Sequence, residues 1–275
     1  MGLFDAFRYD GKRALVVGGA TGMGAAAAEL LVDAGAEVEV MDFADVALAG
    51  VKAIHVNLGE QASIDAAVGE LGGPVDALFA CAGVADGTPN IEKINFIGHR
   101  HLIEQLRANG KLGRGAAIGF ISSAAGLGWE KELETLNEFL DTPDFDTAAK
   151  WVADHGCAHY MFTKQAICAY VAREAMTFLK EGIRINAICP GPTDTPLAQA
   201  NRDMWLGFGA DYRGDVGVEA ATPLEQAYPL VFLCSAAASA INGITMITDA
   251  GYFSAGLTGE FPAATDIVKF LMGRM

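Results

Sequence analysis

The sequence predicts a single α/β domain: a doubly wound, mostly parallel seven-stranded sheet with helices on both faces. Three observations carry this expectation. Seven short apolar runs, at 12–18, 36–41, 51–56, 75–80, 116–121, 183–188 and 244–248, have the length of buried strands. Helical segments separate most of them, the pattern of parallel strands joined by crossovers. The first run ends in a glycine-rich turn, Gly18-Gly19-Ala20-Thr21-Gly22-Met23-Gly24, that leads into a helix. No repeat, low-complexity tract or linker divides the chain, so 1–275 reads as one domain.

Each element has a local reason. Residues 12–18 are an apolar run closing on glycine, and 22–34 are rich in Ala and Leu, which favour a helix. Residues 36–41 alternate and then meet Asp42. A short third strand at 51–56 precedes a helix at 63–71, with Ser63 as its expected cap. The fourth strand runs into Cys81-Ala82-Gly83, and 91–108 is helical before the fifth strand. A long helix covers 158–180, and the sixth strand is broken by Pro190-Gly191-Pro192. A helix at 224–234 precedes the last strand. Two segments stand outside the alternation: an acidic helical insert at 129–155, with a turn around Pro143, and a tail at 252–275 that ends in a short helix.

Composition narrows the function. Nineteen Lys and Arg stand against 34 Asp and Glu, a net charge of −15, which argues against a nucleic-acid partner. It fits a protein with a small-molecule ligand. No apolar run reaches the length of a membrane span, and no charged-then-apolar leader opens the chain. Met1-Gly2 begins like a myristoylation signal, but Ala6 stands where Ser or Thr is required. The expected location is the cytoplasm. Five cysteines without a CxxC pair read as reduced thiols in the core or near the site.

The chemistry concentrates in a few residues. Gly18 ends the first strand, and Thr21, Gly22, Met23 and Gly24 open the first helix, where backbone N–H groups can approach a pyrophosphate. Asp42 ends the second strand, placed to accept both ribose hydroxyls of a dinucleotide and to repel a 2′-phosphate. The expected cofactor is therefore NAD rather than NADP, in a Rossmann sheet. Tyr160 and Lys164 share one helix face, so an ammonium can favour the ionised phenol and lower its pKa. Ser122 and Ser123 lie upstream. His155, Cys157 and His159 lack a fourth partner, so no metal is expected, and His99-Arg100-His101 reads as a solvated helix face.

In this order, Val17-Gly18-Gly19-Ala20-Thr21-Gly22-Met23-Gly24, Ser123 and the Tyr160/Lys164 pair resemble the short-chain dehydrogenase/reductase family, over nearly the whole chain through Gly251. Val17 replaces the usual Thr, and Cys81 replaces the Asn that precedes Ala82-Gly83 in the family. The resemblance implies roles. Asn95 matches a helical Asn that holds a water for proton relay, Ser123 the catalytic serine, and Tyr160 with Lys164 the acid/base pair. Ala82, Gly83, Asn57, Leu58, Pro190, Gly191, Thr193 and Thr195 match cofactor contacts, as do Tyr160 and Lys164.

The 37-position separation of Ser123 and Tyr160 exceeds the family's usual dozen, because of the 129–155 insert. This is similar to bacterial 3α-hydroxysteroid dehydrogenase/carbonyl reductases and implies a bulky apolar secondary alcohol or ketone. The alternatives are aryl or terpenoid alcohols, or an NAD(H)-binding regulator without catalysis. Residues 195–213 follow the cofactor loop and read as a mobile substrate lid presenting Met204, Trp205 and Phe208. A homo-dimer or homo-tetramer is expected. The insert is expected to cover the helix face on which the family pairs.

Overall fold

The computed structural model describes residues 2–275; Met1, the first residue of the Met1-Gly2 start, lies outside the described residues. β1 (Arg13–Val17), β2 (Glu37–Asp42), β3 (Val51–His55), β4 (Val75–Ala80), β5 (Leu112–Ile121), β6 (Arg184–Pro190) and β7 (Thr245–Thr248) form one sheet in the order β3-β2-β1-β4-β5-β6-β7. Every neighbouring pair is parallel, so the sheet is parallel throughout. The chain leaves β1 toward β2 and later returns to β4 on its other side. That reversal opens a crevice beyond the carboxyl ends of β1 and β4, where such sheets bind ligands.

One face of the sheet packs α1 (Gly22–Asp33) and α10 (Pro223–Cys234) through Leu31, Leu230 and Leu233. The other packs α2 (Gln61–Glu70), α3 (Gly98–Ala108) and α6 (Tyr160–Lys180) through Ile64, Leu102 and Ile167. The central strands β1, β4 and β6 are buried almost along their length because both faces are covered, whereas edge strand β3 leaves Lys52, Ala53 and His55 exposed.

Four local expectations are corrected. Ser63 does not cap α2; Glu60 is the capping position, and the Ser63 hydroxyl accepts from the Asn57 amide at 2.9 Å. β5 begins at Leu112, four residues earlier than expected, because Gly113, Arg114 and Gly115 hide its start behind an irregular register with β4. β6 continues through Pro190, which pairs with Thr248 as the last residue of the strand, where a missing N–H is tolerated.

The fourth correction is the largest: His99, Arg100 and His101 are buried. The insert covers Arg100 and His101, while His99 faces the sheet beside Phe120. The insert's helices α4 (Leu133–Leu140) and α5 (Phe145–His155) bury Leu136, Phe139, Phe145 and Val152. The Phe139 ring packs 5.5 Å from Phe96 and 5.3 Å from Phe162. Arg100 donates to Thr142 Oγ1 at 3.2 Å and to the Asp144 carbonyl at 3.3 Å, so its charge is spent holding the insert. His101 pairs with Asp65 of α2 at 2.7 Å.

Beyond β6 the chain forms α7 (Pro196–Ala200), α8 (Arg202–Trp205) and α9 (Ala210–Val216). The tail folds as α11 (Tyr252–Thr258) and α12 (Thr265–Leu271) and packs on this region: Tyr252 lies 5.1 Å from Phe208, and Phe261 lies 5.3 Å from Tyr212. Ala124, just after β5, joins the same apolar cluster. The tail therefore braces its own chain's 195–213 segment.

Candidate active site

The glycine turn is sterically obligatory. Gly18 has φ of +85°, and a Cβ there would sit 2.3 Å from the Ala82 amide nitrogen. A Cβ on Gly24 would sit 2.0 Å from the Gly18 carbonyl oxygen. The close approach of β1, α1 and the loop after β4 thus requires bare backbone at both positions.

This turn forms one wall of a cleft of about 520 Å³. Of the residues expected to hold a cofactor, Gly18, Thr21, Gly22, Met23, Gly24, Asp42, Asn57, Leu58, Ala82, Gly83 and Thr195 line it. Pro190, Gly191, Thr193, Tyr160 and Lys164 stand outside this wall. Asp42 is fixed from two sides: Oδ2 accepts from the Ala20 amide at 2.8 Å and Oδ1 from the Ala44 amide at 2.9 Å. Each oxygen keeps a further lone pair for a hydroxyl donor. Asn57 is held similarly, its amide oxygen accepting from the Gly59 amide at 3.0 Å. A cradle that any Cβ would fill, with an oriented carboxylate at its end, fits an adenine dinucleotide.

The Tyr160/Lys164 pair lies next to this cleft. The Lys164 ammonium stands 5.4 Å over the Tyr160 ring and donates to the Ile121 carbonyl at 3.0 Å. A Cβ on Gly83, in the cleft wall, would lie 3.5 Å from the same ammonium. Burial pushes Lys164 down to about 8. Burial also pushes the Tyr160 phenol up to about 12, with the Ser123 hydroxyl drawing it partly back and Asp86 raising it further. The expected lowering by Lys164 is not what dominates in the free protein: removal from water raises the phenol, and Ser123 is the group that draws it back.

The two serines separate cleanly. Ser122 is buried and donates to the Lys164 carbonyl at 2.8 Å, inside the core. Ser123 is half-buried, accepts from the Ala125 amide at 3.2 Å, and has its hydroxyl beside Tyr160.

Asn95 sits in a widened helical turn, Lys93–Ile97, ahead of α3. Its carboxamide is fully engaged: Oδ1 accepts from the Val84 amide at 2.7 Å, and Nδ2 donates to the Val84 carbonyl and to Thr163 Oγ1, both at 3.1 Å. It clamps the loop after β4 to the first turn of α6. His99 makes a second clamp. Its Nε2 bonds the Ala82 carbonyl at 3.1 Å, bracing the loop where Cys81 has replaced the family's Asn.

The residues expected on a lid diverge. Trp205 meets the Tyr160 ring with centroids 5.0 Å apart. Phe208 faces Tyr252 and Phe253 instead, and Met204 is 76 % exposed and does not line the cleft. Two residues at the site were not singled out from the sequence. Phe43 lines the cleft immediately after Asp42, a place that adjacency to the carboxylate could have marked. Asp86 accepts from the Tyr160 backbone amide at 2.6 Å, and no spacing pattern announces it.

Comparison with known proteins agrees with this geometry. A family profile described as enoyl-(acyl carrier protein) reductase matches residues 145–253. A 3-alpha-hydroxysteroid dehydrogenase/carbonyl reductase of Comamonas testosteroni is 28% identical over 247 residues, covering 86% of this chain and 95% of the relative. A cis-4-hydroxycyclohexanecarboxylate dehydrogenase of Sinomonas cyclohexanicum is 31% identical over 259 residues, covering 87% and 95%. The crystal structure of a 3-alpha-hydroxysteroid dehydrogenase from Pseudomonas sp. B-0831, complexed with NADH, superposes with a TM-score of 0.72 at 25% identity, over 91% of this chain and 99% of that one. The parallel sheet, the glycine cradle and these full-length relatives together make the chain a member of the short-chain dehydrogenase/reductase family, an oxidoreductase.

Proposed function

We propose that this enzyme interconverts a bulky, apolar secondary alcohol and its ketone with NAD, Tyr160 serving as acid and base. The observation that carries the reading is the contact set around one phenol: Ser123 beside it, Lys164 at 5.4 Å and Trp205 at 5.0 Å, next to a cleft that ends in Asp42. When bound, the oxidised nicotinamide accepts a hydride and adds positive charge near the phenol.

The chain's own residues do the rest. Gly18, Gly22 and Gly24 let backbone N–H groups reach the pyrophosphate, and Asp42 takes the ribose hydroxyls. Pro190 closes β6, and Gly191, Thr193 and Thr195 follow it as the loop from which Thr195 reaches the cleft. Ser123 donates a hydrogen bond to the substrate oxygen as charge develops there. Tyr160 gives its proton to the ketone oxygen in reduction and takes it back in oxidation. Lys164 opposes the burial that otherwise holds the phenol protonated. Asn95 keeps the loop after β4 registered on α6. Trp205 supplies a flat apolar wall, which suits fused or substituted rings; the relatives are named for a hydroxysteroid, a hydroxycyclohexane and coniferyl alcohol.

We further infer a cytoplasmic homo-oligomer. All five cysteines are free, and among the described residues no helix is long and apolar enough to cross a membrane. Because α4 and α5 cover α6 and α3, pairing through that face is altered from the family pattern. Initial rates with NAD and NADP against hydroxysteroids, substituted cyclohexanols, aryl alcohols and terpene alcohols test the reading. Activity with NAD on ring alcohols supports it. Preference for NADP, or turnover of aryl alcohols alone, counts against it.

A further inference from the structure

The loop after β4 is tied to the first turn of α6 at two points. The Asn95 carboxamide grips both backbone groups of Val84 and reaches Thr163 at 3.1 Å, and Thr163 Oγ1 in turn donates to the Tyr160 carbonyl at 2.7 Å. Two residues beyond Val84, the Asp86 carboxylate accepts from the Tyr160 backbone amide at 2.6 Å. Both the amide and the carbonyl of Tyr160 are therefore held from this region. The second hold is a hydrogen bond to a carboxylate, on an exposed side chain close to the active site.

We propose that Asp86 is a positioning residue for the proton-transfer step: it fixes the backbone from which Tyr160 projects and keeps a negative charge near the phenol. The inference rests on Tyr160 being the acid/base. The groups facing Tyr160 are Lys164 from its own helix, Ser123 from the loop after β5, Cys189 from β6, Asp86 from the loop after β4, and the neutral Trp205. Among them Lys164 carries positive charge that stabilises phenolate, and Asp86 carries charge that opposes it. The balance between the two sets the pH at which oxidation begins.

The substitutions Asp86→Asn and Asp86→Ala separate the two effects, since Asn keeps an acceptor and loses the charge. Rates of alcohol oxidation by NAD are measured from pH 6 to 10, with NADH affinity and Tm alongside. Asp86→Asn is expected to keep Tm and NADH affinity and to move the rising limb to lower pH by roughly half a unit. Asp86→Ala is expected to lower kcat roughly 3- to 10-fold, with NADH affinity within about 2-fold of wild type. An unmoved limb in Asp86→Asn, or wild-type kcat in Asp86→Ala, overturns the inference. Tyr160→Phe distinguishes this from failure of the underlying reading: if that variant still turns over, the acid/base assignment itself is wrong.

Discussion

Trp205 packs against Tyr160 with ring centroids 5.0 Å apart and planes inclined by 46°. The indole comes from α8, the phenol from the first turn of α6, and they share one surface. On the proposed reading, a ring alcohol that reaches the phenol lies against the indole. Trp205→Ala is expected to raise KM for a cyclic alcohol roughly 2- to 10-fold, the worth of one aromatic contact. NADH affinity should not change. Steady-state kinetics with NADH titration check both; an unchanged KM would remove Trp205 from the substrate wall.

Asp42 tests cofactor choice. Its two oxygens are oriented by Ala20 and Ala44, and in our reading they accept two ribose hydroxyls. Hydrogen bonds to a charged group are worth about 1.5–3 kcal/mol each. Asp42→Ala should then raise KM for NAD on the order of 100-fold and lower the ratio of kcat/KM for NAD over NADP.

His99 makes the fold acid-sensitive. Burial holds its imidazole down at about 4, and its Nδ1 has no partner. The unfolded chain binds a proton near pH 6.5, so the stabilisation is complete above that pH and falls as pH drops toward 4. The loss attributable to this one group is on the order of 3 kcal/mol. Urea unfolding of wild type and His99→Gln at pH 7, 5 and 4 measures it: the wild type should lose its advantage over the variant between the first and last points.

The insert is part of the core and not an appended flap. Phe139 is buried among Phe96, Phe162 and Trp151. Phe139→Ala should cost about 3–5 kcal/mol and lower Tm by roughly 10 °C. A shift of only a degree or two would mean that the insert is energetically separate.

Most of the sheet was legible because strands covered on both faces are apolar throughout, as Leu15, Val16 and Val17 in β1 show. The glycine cradle, Asp42, Ser123 and the Tyr160/Lys164 pair were legible because each sits at a strand end or helix start. What escaped depended on distant packing. Arg100 and His101 look like surface residues until the insert is laid over them, and so does His99 until its ring is seen against Phe120 of β5. The phenol's upward shift arises from surrounding atoms and not from its neighbours in sequence. Met204 and Phe208 looked alike beside Trp205, yet the tail's Tyr252 and Phe253 draw Phe208 away and leave Met204 in solvent. Asp86 meets Tyr160 across 74 positions of chain, a separation that no local pattern encodes.

The central claim is that Tyr160 transfers the proton. Its most direct measurement is the rate of ring-alcohol oxidation by NAD for Tyr160→Phe against wild type, with NADH binding read in the same preparations. The expected result is a loss of at least roughly 100-fold in kcat with NADH affinity within about 2-fold, as removal of a general acid/base demands. Turnover within a few-fold of wild type, with NADH still bound, would contradict the account.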